Sequence, residues 1–537
     1  MKTINDFIKR IQERVPEASD FATEGRALHF EVTSSRIVEF ARLMCDDGFR
    51  LLTIAGNDAR LAKNCFEVHY VFGLPVENIL CIARISIDPQ KPEFPSIMSI
   101  VYSARLFELE VRDMFGLMPV GNLDLAVKDK EEHDHTRRLV HHHNWPEGLY
   151  PLRKDFPLNT RPPEVNIPFP FRHALGEGVF EIPVGPIHAG VIEPGHFHFT
   201  AVGEMILDLK IRLYYSHKGI EKLFESKNLP DAVLLSERIS GDTSFGHSLA
   251  FCEAVESLGN ITVPERAQML RMIFLEMERI YNHVGDIGMI GLDAAFVFSG
   301  AQGSRLKELV MRLNGEISGS RVLRGLNTVG GLMKDIPQSD TEKIDRFFEA
   351  FQQDFTEFID VLCGTSSLLD RLETTGRLLP QVAFDYNTVG YVARASGLRR
   401  DARKDFPSEL WSNVSFDVAI REEGDVFARF SVRIDEVRQS IRIIRDMIKR
   451  LSAGPIRSDQ SVTLSEGKTF VSIVEGWRGE IVYFVIAGPN NTLYRVKVRD
   501  ASFLNWPTLS QAILNNIVPD FPLCNKSYDM SYGGNDL

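Results

Sequence analysis

The sequence predicts a mixed α+β N-terminal domain joined to a larger, mainly α-helical domain with small β segments. Three observations carry that expectation. At 537 residues the chain exceeds the usual size of one domain. Apolar residues alternate as in strands over much of the first 120 positions and repeat with a helical period over most of the second half. Between the halves, residues 156–186 hold seven prolines, the composition of an extended connector. The expected division is 1–160, a connector at 161–187, and 188–537.

Each element follows from its pattern. Ile4, Phe7, Ile8 and Ile11 share one face of a short amphipathic helix. Strand-like runs follow at 28–33, 67–73 and 78–87. In the last, Ile79, Cys81, Ala83, Ile85 and Ile87 line one face, while the other begins apolar at Leu80 and Ile82 and turns polar at Arg84 and Ser86. Residues 101–116 read as a helix closed by Gly116. In the second part, Ala267, Leu270, Phe274, Met277, Tyr281 and Val284 mark a long helix. Ser339 and Glu342 have capping-box spacing ahead of Ile344, Phe347, Phe351, Phe355, Phe358 and Leu362 on one face. Val437, Ile441, Ile444, Ile448 and Leu451 mark another helix, stopped by Gly454-Pro455. Strands at 469–474, 481–486 and 493–498 complete the pattern. These stripes read as core, with no cofactor box among them.

Composition narrows the function classes. Lys plus Arg is 61 against 73 for Asp plus Glu, a net charge of −12, which makes nucleic acid a poor partner. No apolar leader and no run long enough to cross a membrane is visible. The six cysteines, at 45, 65, 81, 252, 363 and 524, never come closer than 16 positions. That spacing excludes C-x-x-C metal, iron–sulfur and dithiol motifs and fits a reducing compartment. No G-x-G-x-x-G dinucleotide fingerprint occurs. His133, His135, His141, His142 and His143 crowd one polar stretch, as a metal-binding tract or a solvated loop with incidental histidines.

Long motifs in order then carry a resemblance. Residues 107–125 (FELEVRDMFGLMPVGNLDL) and 145–157 (WPEGLYPLRKDFP) resemble the 30-kDa-class subunit of respiratory complex I. Residues 185–199 (GPIHAGVIEPGHFHF), 217–223 (HKGIEKL), 237–258 (ERISGDTSFGHSLAFCEAVESL) and 263–288 resemble its 49-kDa-class subunit and the related large subunit of nickel–iron hydrogenases. The fusion of both parts, with residues 424–440 and 499–513, is similar to the large subunits of the membrane-bound group 4 hydrogenases, the formate hydrogenlyase and hydrogenase-4 type.

The resemblance implies a nickel–iron centre held by two C-x-x-C pairs, and the chain departs from it at every ligand. Ser240 and Thr243 stand at the first pair, and by register Ser531 and Gly534 at the second. Soft thiolates bind nickel where hydroxyls do not substitute well, so no resident metal or cofactor is expected. Arg238, Gly241, Phe245 and His247 keep the family pattern, so a cavity is expected to persist, lined also by Arg321, Arg324 and Arg478. In complex I the matching cavity binds a quinone head group beside a partner's iron–sulfur cluster. His188 matches its histidine, with a backbone-bonded loop histidine as the alternative; its tyrosine falls on Gly241. Asp242 is expected either to have a raised pKa suited to proton exchange or to cap a helix. Glu193 is a second proton-transfer candidate. The resemblance implies a small iron–sulfur partner carrying a 4Fe–4S cluster, antiporter-like membrane-arm subunits, peripheral placement on the cytoplasmic face of the membrane, and NAD chemistry, if any, in another subunit.

Overall fold

The computed structural model describes residues 4–128, 134–136, 138–142, 144–165, 176–188 and 192–537. The first domain is a five-stranded sheet of β1 (Ser19–Glu24), β2 (Ala27–Glu31), β3 (Arg50–Asp58), β4 (Phe66–Leu74) and β5 (Ile79–Ile87), in the order β1-β2-β5-β4-β3. Strands β2 and β5 pair in parallel and the others antiparallel. Helices α1 (Ile4–Arg14) and α2 (Ile37–Asp46) bury Phe7, Ile11, Phe40 and Met44 in the same core as this sheet. Helix α3 (Ala104–Phe115) ends, as its sequence predicts, at Gly116 in the left-handed conformation (φ 73°).

A small antiparallel sheet of β6 (Val179–Val184), β7 (His196–Val202) and β8 (Met205–Arg212) follows. Strand β6 lies inside the stretch expected to be an extended connector. Its pairing with β7 gives the backbone hydrogen bonds that a free linker lacks. The principal helices are α4 (Ser244–Leu258), α5 (Glu265–Asp293), α6 (Val297–Ser318), α7 (Gln338–Cys363) and α8 (Val426–Arg450). Helix α5 is buried nearly all round, so it forms the axis of the domain rather than a surface element. Gly288 on α5 and Gly303 on α6 let the two backbones touch. A Cβ on Gly288 would lie 2.8 Å from the Cα of Gly303.

Helix α7 begins at Gln338, so Ser339 and Glu342 lie within its first turn and the expected capping box does not form. Its phenylalanine stripe is core as expected, with Phe348 taking the fully buried place beside a half-buried Phe347. Helix α8 begins at Val426, earlier than its aliphatic stripe indicates. Asp425 starts it: one carboxylate oxygen accepts from Ala428 N (2.7 Å) and the other from Thr374 N (2.7 Å). Replacing Asp425 with Ala removes a cap and leaves a second amide unpaired. The expected loss is about 1–2 kcal/mol, read as a lower urea midpoint.

The last sheet, β9 (Thr469–Glu475), β10 (Glu480–Ala487) and β11 (Leu493–Arg499), is antiparallel. It packs against the N-terminal sheet: Leu52, Ala55, Val71 and Ile82 share a core cluster with Val471, Val482 and Phe484. Arg495 and Arg499 reach across and donate through Nε to the carbonyls of Gly56 (2.9 Å) and Leu52 (3.1 Å). No helix among the described residues is long and apolar enough to cross a membrane. Two short helices, α9 (Ala501–Ala512) and α10 (Phe521–Tyr528), lead to the C-terminal segment that completes the site.

Candidate functional site

The site forms where three distant stretches meet: the loop before α4, the turn between β9 and β10, and the residues after α10. Ser240 and Ser531, 291 positions apart, face each other with their Oγ atoms 2.8 Å apart. Gly534 N donates to Ser531 Oγ (2.8 Å), and Ser531 N donates to Ser502 Oγ (3.0 Å). Thr243 Oγ1 accepts from Trp477 Nε1 (3.0 Å) and from Arg478 Nη1 (3.1 Å). All four positions singled out in the sequence therefore lie around one centre.

Arg478 commands that centre. Its Nη1 and Nη2 each donate to Asp242 at 2.7 Å, a bidentate pair. Its Nε donates to the Asp529 carbonyl (2.6 Å), and its guanidinium stacks on Trp477 with 4.0 Å to the ring centroid. Ser240 and Thr243 hydroxyls also donate to Asp242 Oδ1 (2.8 and 3.0 Å). The backbone of Asp242 is held by Asn282 Nδ2 on its carbonyl (2.8 Å).

This geometry corrects the expected chemistry of Asp242. Burial raises its pKa, but the charge and hydrogen bonds of Arg478 outweigh that, so it lies below the usual carboxylate range. It is an ionised counter-ion and not a proton donor at neutral pH. Nor does it cap α4, whose first turn is served by Glu278. That carboxylate accepts from Phe245 N (2.7 Å) and Gly246 N (2.9 Å), and burial pushes it up to about 8.

The other candidates divide. His247 is fully buried between Asp500 Oδ2 (Nε2, 3.1 Å) and the Tyr483 hydroxyl (Nδ1, 3.2 Å). His188 is partly exposed, with Nδ1 3.2 Å from the Pro186 carbonyl and Nε2 3.3 Å from the Tyr532 hydroxyl. Glu193, which is exposed, accepts from Gly533 N (2.7 Å). Arg324 reaches the Gly241 carbonyl at 3.4 Å from an exposed position. Two expected lining residues are not there. Arg321 is exposed and tied to Glu308 on α6. Arg238 is exposed, and only its carbonyl takes part, accepting from Lys218 Nζ (3.0 Å). Arg238 lies between the buried Glu237 and Ile239, and the backbone turns its side chain outward.

Sequence reasoning missed Asp529, Tyr532, Trp477, Trp506 and Asp500. Tyr532 follows Ser531 directly and could have been weighed with it. Asp529 ends α10 with a left-handed backbone (φ 40°), a conformation that no spacing rule reveals. Cys524 is no substitute ligand: it is buried 4.0 Å from Arg429 Nη2 and packs against Gly376. In the histidine-rich stretch, His133 and His143 lie outside the described residues. His141 stacks on Trp145, and His142 Nε2 lies 3.0 Å from the Leu213 carbonyl. No cluster of His, Cys, Asp and Glu suited to a metal occurs among the described residues.

The family profile described as respiratory-chain NADH dehydrogenase, 30 Kd subunit, matches residues 30–162, and that of the 49 Kd subunit matches 296–471 and 458–537. Formate hydrogenlyase subunit 5 of Escherichia coli (strain K12) is 35% identical over 93% of this chain and 86% of the relative. The chain belongs to that family. Hydrogenase-4 component G of the same organism is 32% identical, covering 91% of this chain and 84% of the relative. NADH-quinone oxidoreductase subunit 4 of Thermus thermophilus is 28% identical, covering 71% of this chain and 98% of the relative. Among solved structures, a chain of the membrane-bound sulfane sulfur reductase (MBS), an archaeal respiratory membrane complex, matches with a TM-score of 0.64 at 24% identity. It covers 68% of this chain and 100% of that one, and it shows the fold.

As a thiolate cradle for nickel and iron, the four positions do not fit. Three hydroxyl side chains and a bare glycine face one another, and a guanidinium cation already neutralises the adjacent carboxylate. A metal cation there would meet hard donors and like charge.

Proposed function

We propose that this chain is a peripheral-arm subunit of a membrane-bound, complex I-like oxidoreductase, active only within that assembly. Its rebuilt cavity takes a quinone or another small acceptor in place of a nickel–iron centre. The observation that carries this reading is the contact of Ser240 with Ser531 under the Arg478–Asp242 pair. It supports both the register of the lost ligands and the retention of the cavity's frame.

His188 and Tyr532 supply what such an acceptor needs. His188 Nε2 and the Tyr532 hydroxyl are 3.3 Å apart. Burial holds the Tyr532 phenol well above its usual range, so it stays a donor at neutral pH. Together they offer a carbonyl oxygen two polar contacts, although the tyrosine expected at Gly241 is absent. Glu193 fixes the C-terminal segment through Gly533 N. Reduction of a quinone takes two electrons and two protons. The electrons come from a 4Fe–4S cluster in a small partner protein, since the cysteines here are too dispersed to hold one. Antiporter-like membrane-arm subunits couple the step to ion translocation, with this chain on the cytoplasmic face.

The test uses the intact purified complex. His188→Ala and Tyr532→Phe are expected to lower kcat/KM for quinone by at least about tenfold, in a preparation without stoichiometric nickel. Stoichiometric nickel would overturn the reading. Unchanged turnover in both variants would favour a non-catalytic coupling role.

A further inference from the structure

A second place in the molecule is built to hold a ligand. A cleft of about 550 Å³ opens between the turn joining β1 and β2, helices α4 and α5, the segment around Phe406, and β9. None of the candidate residues around Arg478 lines it. It adjoins their frame through α4 and β9, and Glu253 lies six residues past His247, about 9 Å along the α4 axis. The volume is that of a small-molecule site.

Most of the charges at its wall are already matched. Arg271 forks onto Glu256 (3.0 and 2.6 Å). Arg403 is held by Asp401 (2.7 Å) and Glu276 (2.9 Å). Glu475 accepts from Arg394 (2.8 Å) and Ala402 N (2.9 Å). Two opposite charges remain. Arg26, from the N-terminal domain, bonds only to neutral groups, the Asn78 side chain and the Phe406 carbonyl (3.3 Å). Glu253, from the helical domain, has no hydrogen-bond or ion-pair partner among the described residues. Each feels the other's charge without forming a contact. Phe406, Trp411 and Phe470 supply aromatic wall.

Unpaired charges are costly where water is scarce, and here a carboxylate and a guanidinium line one cleft without an ion-pair contact to each other. The geometry points to a binding site for a small aromatic zwitterion, of the amino-acid or dipeptide class, whose ammonium meets Glu253, whose carboxylate meets Arg26, and whose ring lies against the aromatic wall. This site is independent of the proposed acceptor chemistry.

The probe is L-tryptophan, with binding to the full-length chain measured by saturation-transfer NMR. Tryptamine, indole-3-propionate and N-acetyl-L-tryptophanamide separate the two charged ends. Saturable binding of tryptophan is expected, weakened at least about tenfold by Glu253→Gln and by Arg26→Gln. Tryptamine should respond to the first variant alone and indole-3-propionate to the second. The neutral amide should bind much more weakly. Burial pushes Glu253 up to about 7, against the pull of Arg271 and Arg26 and with the push of Glu256. Tryptophan should therefore bind more tightly at pH 8 than at pH 6, with the trend lost in Glu253→Gln. No saturable binding, equal binding of the neutral amide, or affinity unchanged in both variants would overturn the proposal. Unchanged thermal midpoints of the variants exclude misfolding as the cause of a loss.

Discussion

Replacing Arg478 with Met is expected to lower the stability of the chain by about 3 kcal/mol. The side chain is 5% exposed and supports Asp242, Ser240, Thr243 and the Asp529 carbonyl at once. Its removal leaves Asp242 without its cation and the two hydroxyls without a shared donor. The cost lies at the lower end of the range for a broken buried pair because the Asp242 side chain is still 39% exposed and regains water. Asp242→Asn in the same chain should recover part of the loss, since an amide no longer needs the cation. A urea midpoint unchanged in Arg478→Met would refute the central role of this residue. The pair also sets an acid limit. Asp242 has a folded pKa below its unfolded value, so its stabilisation is complete above the unfolded value near pH 4 and disappears as pH falls through the lower, folded one. The Arg478→Met variant should lack that part of the acid transition.

Gly390→Ala should have a cost of the same order, about 2–5 kcal/mol. Gly390 adopts φ +66°, where a Cβ is strained, and that Cβ would lie 1.9 Å from the Arg478 carbonyl oxygen. Both obstacles are backbone, so no side-chain rotation relieves them. The turn at residues 476–479 must move, taking Arg478 off Asp242. Loss of quinone turnover in the intact complex together with a lowered thermal midpoint would mark this route. A variant with wild-type turnover would mean that the turn moves freely and that the arginine is placed by other contacts.

The residues announced more of the frame than of its chemistry. Strands β4 and β5, helices α5 and α7 and the C-cap at Gly116 were legible because local pattern and tertiary burial agree there. Strand β3 was not, because it is covered on both faces, by helices on one side and by the last sheet on the other, and so shows no alternation. The capping box at Ser339 failed because the helix starts one residue earlier, at Gln338 after Pro337. At the site, the fold brings Ser240, Thr243, Ser531 and Gly534 together. Residue identity misled for Arg238 and Arg321, whose side chains face solvent.

Chain order alone therefore carried the fold class, the two fused modules, and a cysteine spacing that excludes C-x-x-C motifs, because each is a statement about residue types at given positions. The ionisation of Asp242, the meeting of Ser240 with Ser531, and the pairing of His188 with Tyr532 arose only on folding. Each joins groups that lie hundreds of positions apart, and electrostatics acts through distance in space. A carboxylate's proton depends on whether a guanidinium stands 2.7 Å away, and no pattern along the chain encodes that separation.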